Sequence, residues 1–209
     1  LLGRGTAHVY LENNESAVSD LTAALALKPD LASAYVNRAG TYLDLGECEL
    51  GFADCNRAIG LNPASAEAFS LRGQAFLSRG ELESALQDLN HAIALKPDVD
   101  AYYLVRGAVF GRMHAYAEAI RDLETGIRLT PERAELLQPL ARLLAAAPQT
   151  ELRNGERALA LATQVCEQKS SDDWTALTAL ASAYAETDHS DQAAKGAERS
   201  LAFAAEDRQ

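Results

Sequence analysis

The residues best equipped for chemistry are three cysteines (Cys48, Cys55, Cys166), four histidines (His8, His91, His114, His189), a single tryptophan, Trp174, and two evenly spaced series of charged side chains. Cys48 and Cys55 are seven apart, a spacing that puts both thiols on one face of a helix and would suit a metal or redox pair. A closed zinc site needs four soft ligands, commonly as paired Cys-x-x-Cys. The chain has no such pair, no His-Glu-x-x-His and no glycine-rich phosphate cradle. Its histidines fall at different helical phases, so neither a catalytic cluster nor a metal or cofactor site is expected. Trp174 starts a helical stretch and reads as a packing anchor.

The charged series are more ordered. Arg4, Arg38, Arg72 and Arg106 recur at 34 residues, and Asp20, Asp54, Asp88 and Asp122 follow them at 16. The arginines could form a ladder for an acidic ligand. A brace between two helices fits better, because an unpaired, partly buried charge is costly. Whether Arg72 meets Asp88 or Asp54 stays open from spacing alone. In the fifth copy Leu140 and Leu161 take both places together, as a pair would require.

The elements that must position these residues follow from the same period. Pro29, Pro63, Pro97 and Pro131 are 34 apart, the mark of a solenoid. Aligned on them, small residues fill three columns: Ala24, Ala58, Ala92, Gly126; Ala17, Gly51, Ala85, Ala119; and Gly5, Ala39, Gly73, Gly107. Such positions let helix backbones approach closely. Bulky residues fill the columns Leu1, Tyr35, Phe69, Tyr103 and His8, Tyr42, Phe76, Phe110, and a leucine precedes each proline by two: Leu27, Leu61, Leu95, Leu129. Large against small is the pattern of an interlocking core. Cys55 shares its column with Leu21, Leu89 and Leu123, and Cys48 shares its own with Leu82 and Tyr116, so both read as small buried residues. One unit is a helix from Ala32 to Leu45, a turn at Gly46–Glu47 and a second helix to Leu61, closed by Asn62–Pro63, since proline ends the helix before it.

Bulky, small, aromatic, Gly-turn, Ala, Leu, Ala and Pro at a 34-residue period resembles the tetratricopeptide repeat (TPR) family over nearly the whole chain. The resemblance implies an all-α, right-handed α-α superhelical solenoid of about six helix-turn-helix repeats. The expected divisions are 1–31, 32–65, 66–99 and 100–133, a divergent repeat at 134–170 and a last one at 171–209. After Pro131 the pattern loosens: Pro148–Gln149 and Asn154–Gly155 punctuate an insertion of roughly five residues before a helix from Glu156, and Pro139 falls inside a helix or in its first turns. Arg153 to Leu159, Asp173–Trp174 and Ala181 to Tyr184 resemble the closing repeats of large bacterial arrays, with a final hairpin of about 173–186 and 191–205.

Composition bounds the function. The chain has 209 residues, 48% apolar and only 6% aromatic, with net charge −11. That balance disfavours nucleic acid or an anionic membrane as partner. No apolar run reaches the ~20 residues of a membrane span; three cysteines in a long chain suit a reducing, cytoplasmic setting. Leu1 falls inside a repeat, so a piece of a longer protein is expected.

The resemblance implies a protein-binding scaffold, not an enzyme, with a concave groove lined by first helices. By helical phase the lining is Val36, Asn37, Gly40, Leu43 and Asp44, then Ser70, Leu71, Gln74, Leu77 and Ser78, then Leu104, Val105, Ala108 and Arg112. So apolar a wall implies an apolar or amphipathic peptide or helix as ligand. Members that grip the acidic tails of chaperones do so with lysines. Here the corresponding positions hold Leu2, Val36 and Glu67, so no tail binding is expected. Self-assembly through exposed terminal repeats, and service as the regulatory array of a larger enzyme, are the alternatives.

Overall fold

The computed structural model describes residues 1–11 and 13–168. The expectations placed on Trp174, on His189 and on the last hairpin lie outside them, as does the side chain of Cys166. Every regular element among the described residues is helical. The helices are α1 (Leu2–Tyr10), α2 (Asn14–Leu27), α3 (Ala32–Asp44), α4 (Cys48–Leu61), α5 (Ala66–Arg79), α6 (Leu82–Leu95), α7 (Asp100–Arg112), α8 (Tyr116–Leu129), α9 (Ala134–Ala146) and α10 (Gly155–Gln168), with a 3₁₀ turn at Thr150–Leu152. They form two compact units, Leu1–Val109 and a second that begins at Phe110, inside α7.

Helix ends follow local chemistry. Asn13 Oδ1 accepts from the Ser16 amide, and Ser65 Oγ from the Ala68 amide, so each side chain satisfies a donor that its helix leaves free. Gly80 ends α5 at φ +78 and Gly46 follows α3 at φ +77, a region open to glycine at little cost. His114 takes the matching place at φ +59, and its Nδ1 meets the Tyr116 hydroxyl at 2.8 Å. The residues closing α2, α4, α6 and α8 (Lys28, Asn62, Lys96, Thr130) adopt nearly one conformation, φ from −143 to −138 and ψ from 86 to 93. Each precedes a proline, whose ring drives its neighbour out of the helical region.

In the first unit each second helix packs on its own partner and on the first helix of the next hairpin: α2 on α3 and α4 on α5. The first helices also touch one another, α1 to α3 and α3 to α5. The small columns sit where backbones meet. A Cβ on Gly51 would lie 3.0 Å from the Leu43 side chain and 3.1 Å from the Ala39 carbonyl; one on Gly73 would lie 2.9 Å from Leu89. Ala17, Ala39, Ala58, Ala85 and Ala92 are fully buried beside Leu21, Cys55 and Leu89. Aromatic residues latch the hairpins as well, for the Tyr103 hydroxyl donates to the Pro97 carbonyl at 2.9 Å.

One column departs from expectation. Leu27, Leu95 and Leu129 are exposed, Leu27 by 74%. Standing in the last turn, two residues before the proline, they have passed the packed face and look outward. In the second unit, α9 carries Pro139 in its second turn. It buries Leu136, Leu137, Leu140, Ala141 and Leu144, and packs against α8 and α10. The inserted segment folds back on the end of α9: Arg153 Nε donates to the Ala147 carbonyl at 2.7 Å, and the Asn154 amide to Leu144 at 2.8 Å. Carbonyls left open by a helix end thereby gain donors.

Candidate functional site

Two arrangements could meet a ligand: the arginine series and the wall made by first helices. The arginines turn inward. Arg38 Nε and Nη2 hold Asp54 Oδ2 and Oδ1 at 2.7 and 2.8 Å, and Arg72 holds Asp88 the same way at 2.6 and 2.8 Å. Arg4 makes the same fork to Asp20. Partners 16 apart meet because they lie equally far from the hairpin turn on antiparallel helices. The aspartates are buried and the planar guanidinium matches a carboxylate with two parallel bonds. Hydrogen bonding to Asp54 and Asp88 raises Arg38 and Arg72 above the ordinary arginine range, against burial, which lowers them. The hydrogen bond from Arg4 lowers the Asp20 carboxyl. The Arg38 and Arg72 forks also lie near aromatic rings: Arg38 is 5.7 Å from the Tyr35 and Tyr42 centroids, and Arg72 is 5.4 Å from that of Phe69 and 5.9 Å from that of Phe76.

The third nitrogen resolves the choice between pairing within a hairpin and pairing across hairpins: the aspartate is the hairpin's own, and the neighbour supplies a neutral acceptor. Arg38 Nη1 donates to Thr22 Oγ1 at 2.9 Å, Arg72 Nη1 to Asn56 Oδ1 at 2.8 Å and Arg106 Nη1 to Asn90 Oδ1 at 2.6 Å. Thr22, Asn56 and Asn90 escaped the sequence reading, although a polar residue two places after each aspartate was visible at the same period. Glu124 continues that column in the second unit, where Leu140 replaces the arginine. It pairs instead with Arg157 of α10. Cation and acceptor thus hold the hairpins in register, leaving little of the ladder for a guest.

The wall in the first unit advances by a fixed diagonal step. Asn37 Nδ2 donates to Thr6 Oγ1 at 2.8 Å, and Gly40 faces the Leu71 side chain, whose nearest atoms would be 3.9 Å from an added Cβ. Both pairs are 31 residues apart, so position 37 or 71 of one helix meets position 6 or 40 of the helix before it. Asn37, Gly40, Leu71, Gln74, Leu77, Leu104 and Val105 are partly exposed, and Ala108, Asp44 and Ser78 are exposed. Arg112 is exposed and belongs to the second unit.

Three expected lining residues are corrected. Val36 is buried and clusters with Ala58 and Ala68, so it joins α3 to the second helix of its own hairpin and to the next first helix. Leu43 is buried against Gly51, and Ser70, in the column of Val36, is buried as well. These positions lie one residue before the exposed column or one turn along the packed face, and a 100° rotation per residue carries them inward.

Two of the other candidates, Cys55 and His91, are engaged in packing. Cys55 is fully buried and desolvation pushes its thiol up to about 12, which leaves it protonated and unreactive. His91 lies tilted against Phe69, with ring centroids 4.3 Å apart. Among the described residues no three His, Cys, Asp or Glu side chains converge on a possible metal position, and no helix is long and apolar enough to cross a membrane.

Comparison with known proteins bears on what such an architecture is. Tetratricopeptide-repeat profiles match residues 2–65 and residues 73–113, together half of the chain. No curated protein matches the sequence. Solved structures do: YrrB, described as a TPR protein with an unusual peptide-binding site, is 18% identical, with 90% of this chain and 93% of that one aligned at a TM-score of 0.66. The pilF protein of Pseudomonas aeruginosa is 20% identical over 98% and 95% of the two chains, TM-score 0.77. A TPR protein of Thermus thermophilus is 22% identical over 88% and 97%, TM-score 0.71. At such identities the likeness speaks for the fold alone, an all-α solenoid, and the profile matches carry the family: the chain belongs to the tetratricopeptide repeat family, whose members serve generally as scaffolds for other proteins.

Proposed function

We propose that the first unit is a non-enzymatic scaffold whose wall of first helices holds a peptide or helix of another protein. Its lining is Asn37, Gly40, Leu71, Gln74, Leu77, Leu104, Val105 and Ala108. The observation that carries this reading is the diagonal contact of Thr6 with Asn37 and of Gly40 with Leu71, which closes the gaps between first helices while leaving their outer atoms open. Apolar patches rimmed by polar groups are where soluble proteins meet partners. Leu71, Leu77, Leu104 and Val105 supply apolar area, and the amides of Asn37 and Gln74 offer hydrogen bonds to a peptide backbone. The guest is therefore an apolar or amphipathic segment, and the acidic chaperone tail remains a ligand this wall does not suit.

The test is selection of peptides from a displayed library on the purified chain, with Ala108→Trp and Gln74→Glu as wall variants. Both sites carry outward atoms, so the helical circular dichroism should be unchanged. Selected peptides rich in Leu, Ile or Phe, with affinity near micromolar and weakened about tenfold or more by Ala108→Trp, support the reading. Peptides that bind both variants as tightly as the parent refute it.

A further inference from the structure

We propose that the wall carries a seat for a cation at its proline-turn end, made by Glu67, Asp98 and the hydroxyl of Tyr102, which selects a guest segment bearing an arginine or lysine. The inference rests on the wall proposed above and names a chemical requirement on its guest. Glu67 stands four residues before Leu71 and seven before Gln74, so one stripe of α5 carries all three. It is exposed, as is Asp98 in the turn before α7, and neither carboxylate has an ion pair or hydrogen bond among the described residues.

Tyr102 ties the two carboxylates together. In the two hairpins before it, its column holds the fully buried Ala34 and Ala68, so a ring here fills a place that elsewhere takes a methyl group. Tyr102 is only 6% exposed and clusters with Ala66, next to Glu67, and with Val99, next to Asp98. Its hydroxyl has no hydrogen-bond partner among the described residues. Burial first, then the charges of Glu67 and Asp98, raise this phenol above the ordinary tyrosine range, so its oxygen lies within the field of both. With the ring fixed by packing, little ordering is needed for a guest to settle there.

Two ionised carboxylates beside a phenolic oxygen are acceptors in want of a donor. A guanidinium or ammonium, which only donates, meets that want. The chain's own wall supplies none: Arg38 and Arg72 are committed to Asp54 and Asp88, and the stripes 33-37-40-44, 67-71-74-78 and 101-105-108 contain no lysine or arginine. A net charge of −11 also draws a basic segment in. Leu71 lies one turn from Glu67 and Val105 one turn from Tyr102, so the guest is an amphipathic segment whose basic residue sits about a turn from its apolar ones. A carboxylate in a first turn also suits the helix dipole, but that role bears on stability and not on which peptides are chosen.

Displayed peptides are selected on the purified chain and, separately, on a variant with Glu67→Gln and Asp98→Asn. Both carboxylates are exposed, so the helical circular dichroism should be unchanged. Peptides weakened by Ala108→Trp are wall guests. Those chosen by the parent should carry arginine or lysine at one fixed spacing from their apolar residues, and those chosen by the double variant should not. A parent-selected peptide should bind the double variant about tenfold more weakly, and citrulline in place of its arginine should erase that difference. Tyr102→Phe, which keeps the ring, should weaken it about twofold or more. Wall guests without a basic residue, or with equal affinity for parent and double variant, would overturn the seat and leave the wall standing. Peptides that ignore Ala108→Trp but lose affinity for the double variant would keep the seat and overturn the wall, and peptides indifferent to both would overturn the two together.

Discussion

Replacing the third hairpin's ion pair tests the claim that these charges specify register more than they stabilise. Asp88 is buried and accepts two bonds from Arg72, whose third nitrogen is bound to Asn56 and whose plane lies near two rings. Asp88→Asn retains shape but keeps only one good acceptor toward the fork. Losing one hydrogen bond to a charged partner costs about 2 kcal/mol. Arg72→Leu strands a carboxylate that is only one-tenth exposed, at a cost of roughly 3 kcal/mol. Making Arg72→Leu and Asp88→Leu together removes both charges, and here the expected cost is within about 1 kcal/mol of the parent, because hydrophobic replacement of a buried pair is often near neutral. The fifth copy carries that double change already, as Leu140 on α9 and Leu161 on α10, and Leu140 is fully buried. Urea unfolding followed by circular dichroism, with denaturation midpoints compared at a common slope, measures all four chains. If the double variant loses as much as Arg72→Leu alone, or if Asp88→Asn loses less than about 0.5 kcal/mol, the coupling argued from geometry is wrong.

Other outcomes follow from the same structure. Gly80→Ala should cost about 1 kcal/mol through backbone strain alone, since an added Cβ meets nothing within 4 Å at φ +78; an unchanged urea midpoint would contradict this. Gly73→Ala should cost more than Gly80→Ala, because its Cβ would press on Leu89 at 2.9 Å, and the order of the two midpoints decides the matter. Asp20, lowered by Arg4, lends stability that is fully present above the ordinary carboxylate range near pH 4 and drains as the pH falls through its lowered value. Melting curves from pH 6 to pH 2 should therefore show a shallower acid decline in Asp20→Asn than in the parent. Iodoacetamide at pH 8 should label Cys48 while sparing Cys55 until the chain unfolds, read by peptide mass spectrometry; early labelling of Cys55 would show that its burial is not maintained.

Much of the fold was legible because the sequence states it several times over. A single Pro-terminated helix is ambiguous, but Lys28, Asn62, Lys96 and Thr130 repeat one local instruction at a fixed interval, and Ala17, Gly51 and Ala85 repeat one steric demand. The site was harder to read. Helical phase assigns a residue to a face only to within about one position, and Val36 and Leu43 lie just across that margin from Asn37 and Gly40. The bonds of Arg38 and Arg72 to Thr22 and Asn56 escaped because pairing was sought between opposite charges, and a neutral acceptor carries no sign to look for. The outward turn of Leu27 was missed for a different reason: a leucine at a constant place in a repeat looks like core, although constancy there reflects the helix end it precedes.

The shared bend at Lys28, Asn62, Lys96 and Thr130 has a consequence for how such a chain can change over time. Since the exit angle is written into a residue and the proline after it, the joint is indifferent to what each hairpin holds inside. Contents can then be exchanged without redrawing the path, and the step from a charged interior to the apolar one across Thr130 is an exchange of that kind. Hairpins that share this joint should behave as interchangeable parts, free to be duplicated, swapped or repurposed for new guests while the chain keeps its course.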